Sequence, residues 1–110
     1  MENKLTFDEK INFIKEAILK HVPAKYIYLF GSYAYGEPSE DSDIDVYAVI
    51  PDEIENNTFL WADINGELRE QEVYDIDFHI GNESVFNKFR HLSRFEETIF
   101  EKGIILYERT

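Results

Sequence analysis

The chain has 110 residues, a length typical of one small domain, and its 23 acidic against 11 basic residues leave a formal net charge of −12. A field of that sign weighs against general nucleic-acid binding, which needs a basic face, and suits a basic partner or a cation. A 44% hydrophobic share with nine Phe and seven Tyr argues against disorder, and the lack of cysteine excludes disulfides and Cys-based zinc sites, fitting a reducing cytosol.

The amino terminus, MENKLTFDEK, has no apolar core of the kind a leader carries. The longest apolar runs are about five residues, against roughly 20 for a membrane span. A cytoplasmic protein with no membrane partner is expected. At this size an oligomeric or partner interface is also expected to support stability.

Thr6-Phe7-Asp8-Glu9 predicts a capping box, followed by a helix with Phe7, Ile11, Ile14, Ile18 and Val22 on one stripe and Pro23 as its stop. YIYLF (26–30) reads as a buried strand that stops at Gly31-Ser32. From Asp43 to Ile50 the pattern alternates, with Ile44, Val46, Ala48 and Ile50 on one face and Asp43, Asp45, Tyr47 and Val49 on the other. Residues 57–69 predict a helix buried along Leu60, Ile64 and Leu68, weakened by Asn65-Gly66. A third strand is expected over 73–80, with Tyr74, Ile76, Phe78 and Ile80 opposite Asp75, Asp77 and His79. From Ser84 the period is helical (Val85, Phe86, Phe89, Leu92), a second helical segment starts at Ser93, Lys102-Gly103 ends it, and GIILYE makes a last edge strand. The class is therefore α/β or α+β, a mixed sheet of about four strands packed with helices.

The stretch FGSYAYGEPSEDSDIDVY concentrates the chemistry. A strand ending in Gly-Ser and entering a helical turn offers backbone N–H groups to a phosphate, and glycine permits close approach. Asp43 and Asp45, at i and i+2, project to one face, and the third strand offers Asp77, with Asp75 also on that face. Two carboxylates about 4 Å apart repel by about 4 kcal/mol at an effective dielectric of 20. A divalent cation relieves that repulsion, and an all-oxygen site suits Mg²⁺ or Mn²⁺.

Gly31-Ser32, ten residues and then Asp43-Ile44-Asp45 resembles the GS-x10-DxD signature of the DNA polymerase β-like nucleotidyltransferases. The chain as a whole looks like the minimal nucleotidyltransferases (MNT), a single domain over residues 1–110. The resemblance implies that Gly31 and Ser32 contact nucleotide phosphates, that Asp43 and Asp45 are metal ligands, and that a third carboxylate lies on a later strand. Asp77 is assigned that role, with Asp75 as the alternative. Two Mg²⁺ ions (or Mn²⁺) would then serve transfer of AMP from ATP to an acceptor hydroxyl, with Asp77 as a candidate general base. Because minimal members commonly accompany a HEPN-type ribonuclease toxin, the resemblance also implies an antitoxin that adenylylates such a toxin. One departure stands out: Tyr35 occupies the place where the family often has Arg, in GS-x-AR-G.

The competing reading is a partner-binding module of the same fold without catalysis; a third is a small-molecule nucleotidyltransferase. Glu37, Glu40 and Asp41 read as a solvated loop and Ser42 as a turn residue. His79 shares the carboxylate face, while His21 and His91 read as helical surface. Trp61 is expected in core or interface, the stripe Phe86, Phe89, Leu92 and Phe95 in the core, and Tyr33 and Tyr35 against an adenine or in a partner interface.

Overall fold

The computed structural model describes residues 5–39 and 41–109. Glu40, read above as a solvated loop residue, and residues 1–4 of the stretch read as lacking a leader lie outside them. The elements are α1 (Phe7–His21), β1 (Tyr26–Phe30), α2 (Ser32–Tyr35), β2 (Ile44–Ile50), α3 (Thr58–Glu70), β3 (Ile76–Asn82), α4 (Glu83–Phe89), α5 (Arg94–Lys102) and β4 (Ile104–Glu108). Among the described residues, no helix is long and apolar enough to cross a membrane.

The four strands form one sheet in the order β3-β2-β1-β4. β1 runs antiparallel to both β2 and β4, and β2 runs parallel to β3, so the sheet is mixed as expected. The parallel pair requires a crossover, and α3 supplies it. Alternation along the strands gives the sheet two apolar faces. Ile27, Leu29, Ile44, Val46, Ala48, Ile50 and Phe78 pack with Ile14 and Ile18 of α1 and Ile64 and Leu68 of α3. Tyr28, Phe30, Tyr47 and Val49 face the other way, against Phe86 of α4 and Ile99 of α5.

Local chemistry sets the helix ends. Thr6 Oγ1 accepts from the Glu9 amide at 3.1 Å and Glu9 Oε1 accepts from the Thr6 amide at 2.9 Å, closing the predicted capping box. Asn57 Oδ1 accepts from the Leu60 amide and starts α3, which runs through Asn65-Gly66 because Ile64 and Leu68 are fully buried on either side of it. Each such side chain contributes about 1.5–3 kcal/mol, more than one glycine costs a helix.

Three expectations need correction. The third strand starts at Ile76 rather than 73, because Glu72 adopts a left-handed φ of 61° and the Val73 amide turns back to donate to Leu68 O. That turn buries Val73 and leaves Tyr74, which the alternation grouped with Ile76, Phe78 and Ile80, ahead of the strand and 65% exposed. The aromatic stripe does not stay in the core: Phe86 is buried, but Phe89, Leu92 and Phe95 are 39%, 72% and 43% exposed. The helix breaks after Phe89, whose carbonyl accepts from the amides of Leu92 and Ser93, so the helical period is not continued. His91 accordingly sits in this turn and not on a helix.

The outer edge of β3 is covered. Trp61 Nε1 donates to Phe78 O at 3.1 Å and Asn56 Nδ2 donates to Ile80 O at 3.0 Å, which explains why Trp61 is only 46% exposed.

Gly81, on β3, lies under the buried ring of Tyr47: a Cβ added there would collide with Tyr47 Oη and stand 2.8 Å from Cζ. Gly81→Ala is expected to destabilise the fold by about 1–3 kcal/mol in urea unfolding. Adding Tyr47→Phe, which removes the colliding oxygen, should restore part of the loss, and a double variant no better than Gly81→Ala would exclude this contact as the cause.

Candidate active site

Strand register brings the predicted residues together. Phe30 of β1 lies opposite Asp45 of β2, and Asp45 lies beside Asp77 of β3. One step further along the same face, Tyr28, Tyr47 and His79 form the next row. The two carboxylates are therefore neighbours by backbone pairing, on the face that α4 and α5 share.

Gly31 turns the chain out of β1 with φ 71° and ψ −154°, a conformation that L side chains rarely adopt. Its missing side chain is also a spatial necessity, because a Cβ there would collide with Asp45 Oδ2 and stand 2.8 Å from Cγ. Gly31 O accepts from the amides of Ala34 and Tyr35, closing the single turn of α2. The leading amides of that turn have no intrahelical acceptor, and Gly31 offers no side chain to cap them. Ser32 is the first residue of the turn and is half-buried.

Burial is the main cause that pushes the Asp45 carboxyl above its ordinary value; Asp77 and then Asp43 add to it, and His79 opposes them. His79 Nε2 stands 3.4 Å from Asp77 Oδ2. Asp43, immediately ahead of β2, is exposed. Asp45 and Asp77 form the close pair, and no three His, Cys, Asp or Glu side chains among the described residues are gathered tightly enough to hold a metal ion as they stand. The donor set nevertheless fits a hard divalent cation: three carboxylates, two of them adjacent and mutually repelling, with no Lys or Arg ion-paired to Asp43, Asp45 or Asp77 among the described residues.

Asp75 is elsewhere. Its Oδ2 accepts from Lys10 Nζ of α1 at 2.8 Å, so it does not share the face of Asp77 as strand alternation suggested. The alternation fails because Asp75 precedes β3 and only its carbonyl joins the sheet, accepting from the Ile44 amide. Lys10 had no signal in the sequence, being 65 positions away.

The aromatic surroundings also differ from expectation. Tyr33 stacks on Phe7 at 4.8 Å and ties α2 to α1, so it is not free for a base; Tyr35 is 44% exposed. Phe95, assigned to the core by its spacing, instead meets Phe30 edge-on at 5.5 Å and His79 at 5.5 Å, forming a wall beside the carboxylates. Burial, with a smaller contribution from Glu96, pushes the Tyr47 hydroxyl up to about 12, so it remains neutral at physiological pH. Glu37 and Asp41 are exposed, as expected of a solvated loop, and Ser42 Oγ accepts from the Ser39 amide at 2.9 Å to close the turn before Asp43.

The pair sits on an open shelf: the Asp77 side chain is 58% exposed. Clefts lie elsewhere, one between α1 and α3 and another under α4 and α5.

Residues 12–110 match the family model described as Polymerase beta, Nucleotidyltransferase. No curated protein matches the chain. Among solved structures, a toxin–antitoxin with AMP-PNP superposes with a TM-score of 0.60 at 19% identity, over 91% of this chain and 74% of that one. A presumed nucleotidyltransferase from Sulfolobus solfataricus gives 0.57 at 19% identity, over 98% and 91%. The tri-AMPylated HEPN toxin of Shewanella oneidensis in complex with MNT antitoxin gives 0.54 at 17% identity, over 91% and 71%. At these identities the likeness is one of fold.

A raised Asp45 carboxyl destabilises the folded state once ionised. Below its ordinary value of 3.8 the group is protonated whether folded or not and carries no cost. As pH rises from there through the folded value, stability falls, and above it the cost is complete. Asp45→Asn should therefore melt higher than the parent at pH 7 in EDTA, with the difference closing as pH drops towards 3.8. A variant that melts lower at pH 7 would mean the carboxylate is held by a favourable contact instead.

Proposed function

The chain belongs to the polymerase β nucleotidyltransferase family, and from that premise we propose that it transfers AMP from ATP to an acceptor hydroxyl, as the antitoxin partner of a HEPN-type ribonuclease toxin. The observation that carries this reading is the in-register pair Asp45–Asp77 beside Gly31, whose absent side chain is what lets Asp45 lie there.

In this reading the leading amides of α2, with Ser32, receive the nucleotide phosphates, and Gly31 lets them approach the main chain. Asp43, Asp45 and Asp77 would hold divalent cations. When bound, Mg²⁺ or Mn²⁺ would offset the triphosphate charge and make the acceptor hydroxyl more acidic. The acceptor oxygen forms a bond to the α-phosphorus as the bond to pyrophosphate breaks. On this proposal Asp77, whose Oδ2 lies 3.4 Å from His79 Nε2, takes the acceptor proton. The open shelf suits an acceptor presented by another protein, because a large surface can reach the exposed Asp77. The net charge of −12 favours a basic partner, and a ribonuclease that holds RNA has a basic face. The family resemblance and the fold shared with a toxin–antitoxin carrying AMP-PNP and with a HEPN toxin–MNT antitoxin complex support the same assignment.

A second reading has one observation in its favour: Tyr35 stands where the family often carries Arg, and it is exposed. On that reading the same fold neutralises the toxin by binding alone.

Calorimetry separates site from scaffold. ATP titrated with Mg²⁺ present should bind, and the heat should vanish in EDTA and in the Asp43→Asn/Asp45→Asn double variant. Incubation of the parent with ATP and a candidate toxin should add AMP mass to the toxin. A double variant that neutralises toxin as well as the parent, with no mass added by either, would replace catalysis with occlusion.

A further inference from the structure

The turn between α4 and α5 is the exception to the chain's acidic character. From Ser84 to Phe95 there is no Asp or Glu, although acids make up 23 of the 110 residues, and Lys88, Arg90 and Arg94 fall within that stretch. Arg90 is committed to packing, its guanidinium 4.1 Å from the centre of the Phe100 ring, whereas Lys88 and Arg94 are exposed. Neither has a carboxylate within ion-pair distance among the described residues. Glu96 and Glu97 follow in the first turn of α5, where the helix dipole favours an acid, and they are not paired to these cations.

The same turn leaves large apolar side chains in solvent: Phe89, Leu92 and Phe95 are all exposed. Phe89 O accepts from the Leu92 and Ser93 amides at 3.0 and 2.7 Å, so the backbone fixes the turn that displays them. Apolar groups clustered beside unpaired cations mark a contact surface more than scattered exposure does. Position tells what would meet it. Phe95 stands edge-on to His79 at 5.5 Å, and His79 Nε2 is 3.4 Å from Asp77 Oδ2. A hydroxyl brought to Asp77 on a polypeptide therefore carries its flanking residues against Phe95 and the turn that leads into it. An acidic segment is repelled by the rest of this surface and meets Lys88 and Arg94 here, whereas a basic segment is drawn away to the acids elsewhere. A nucleic acid is disfavoured, because a net charge of −12 opposes a polyanion and two free cations offset few phosphates.

We propose that the α4–α5 turn docks the segment that carries the acceptor hydroxyl, and that this segment is acidic and apolar, its acids meeting Lys88 and Arg94 and its apolar residues Leu92 and Phe95. The inference rests on the transfer reading above and adds the kind of sequence in which the acceptor lies. It is compatible with a partner that is basic as a whole: the body of such a partner faces the acidic remainder of this surface, and its acidic segment fits only beside the shelf.

The test is an NMR titration of the ¹⁵N-labelled full chain. Its probes are a hexapeptide with Glu and Leu around a single Tyr, the same peptide with Lys in place of each Glu, and a single-stranded oligonucleotide. The Glu peptide should shift the Leu92, Arg94 and Phe95 amides saturably and bind about tenfold tighter than the Lys peptide. Lys88→Glu/Arg94→Glu, two exposed changes, should reverse that preference while the heat of ATP binding with Mg²⁺ stays that of the parent. Leu92→Ser should weaken the Glu peptide without altering the preference. Equal binding of the two peptides overturns the proposal, as does a preference that survives the charge reversal, undiminished binding by Leu92→Ser, tighter binding of the oligonucleotide, or no saturable shift at all. A parent that takes the Glu peptide but no ATP removes the transfer reading and leaves the turn as the docking surface for such a segment.

Discussion

Two carboxylates held side by side by backbone register are the constraint around which this protein is arranged. The parallel pairing of β2 and β3 makes Asp45 and Asp77 neighbours whatever their charges prefer, and the core on the far face fixes that pairing. A slip of one residue would turn Val46 and Phe78 out of the core, so the sheet cannot relieve the repulsion by shifting. Gly31 then leaves the room that the Asp45 carboxylate occupies. The cost of the arrangement is first the burial of the Asp45 carboxylate and then its repulsion by Asp77 and Asp43, and hydrophobic burial on the opposite face offsets it.

Much of the fold was legible because the sequence repeats its instructions. The alternation from Ile44 to Ile50 assigns both faces of β2 correctly, Val49 included, and Thr6 with Glu9 marks the start of α1. The spacing from Gly31-Ser32 to Asp43 and Asp45 pointed to residues that the fold does bring near one another. What the sequence left open was decided by contacts distant in the chain. Asp75 and Asp77 are equivalent to a period of two, and the difference between them lies in Lys10 and in where the turn after α3 releases the chain.

The aromatic residues were hardest to place, for a related reason. Phe86 to Phe95 keep helical spacing, yet the Phe89 carbonyl takes two amides from the following turn and divides the stripe. One member stays in the core, and Phe95 becomes a wall of the carboxylate shelf. Tyr33 likewise is committed to Phe7 by packing between α1 and α2. Residue type foretold that these side chains would be used, but only tertiary structure determines against what.

The two rims of the sheet are unequal. On β3, Trp61 and Asn56 occupy backbone carbonyls that another strand would need, whereas β4 presents Ile104 and Ile105, 45% and 50% exposed, with no comparable cover among the described residues. A body with one adhesive rim can join once and is then finished. Pairing of two copies through β4 would therefore be self-terminating, because it would leave only their covered β3 rims outermost.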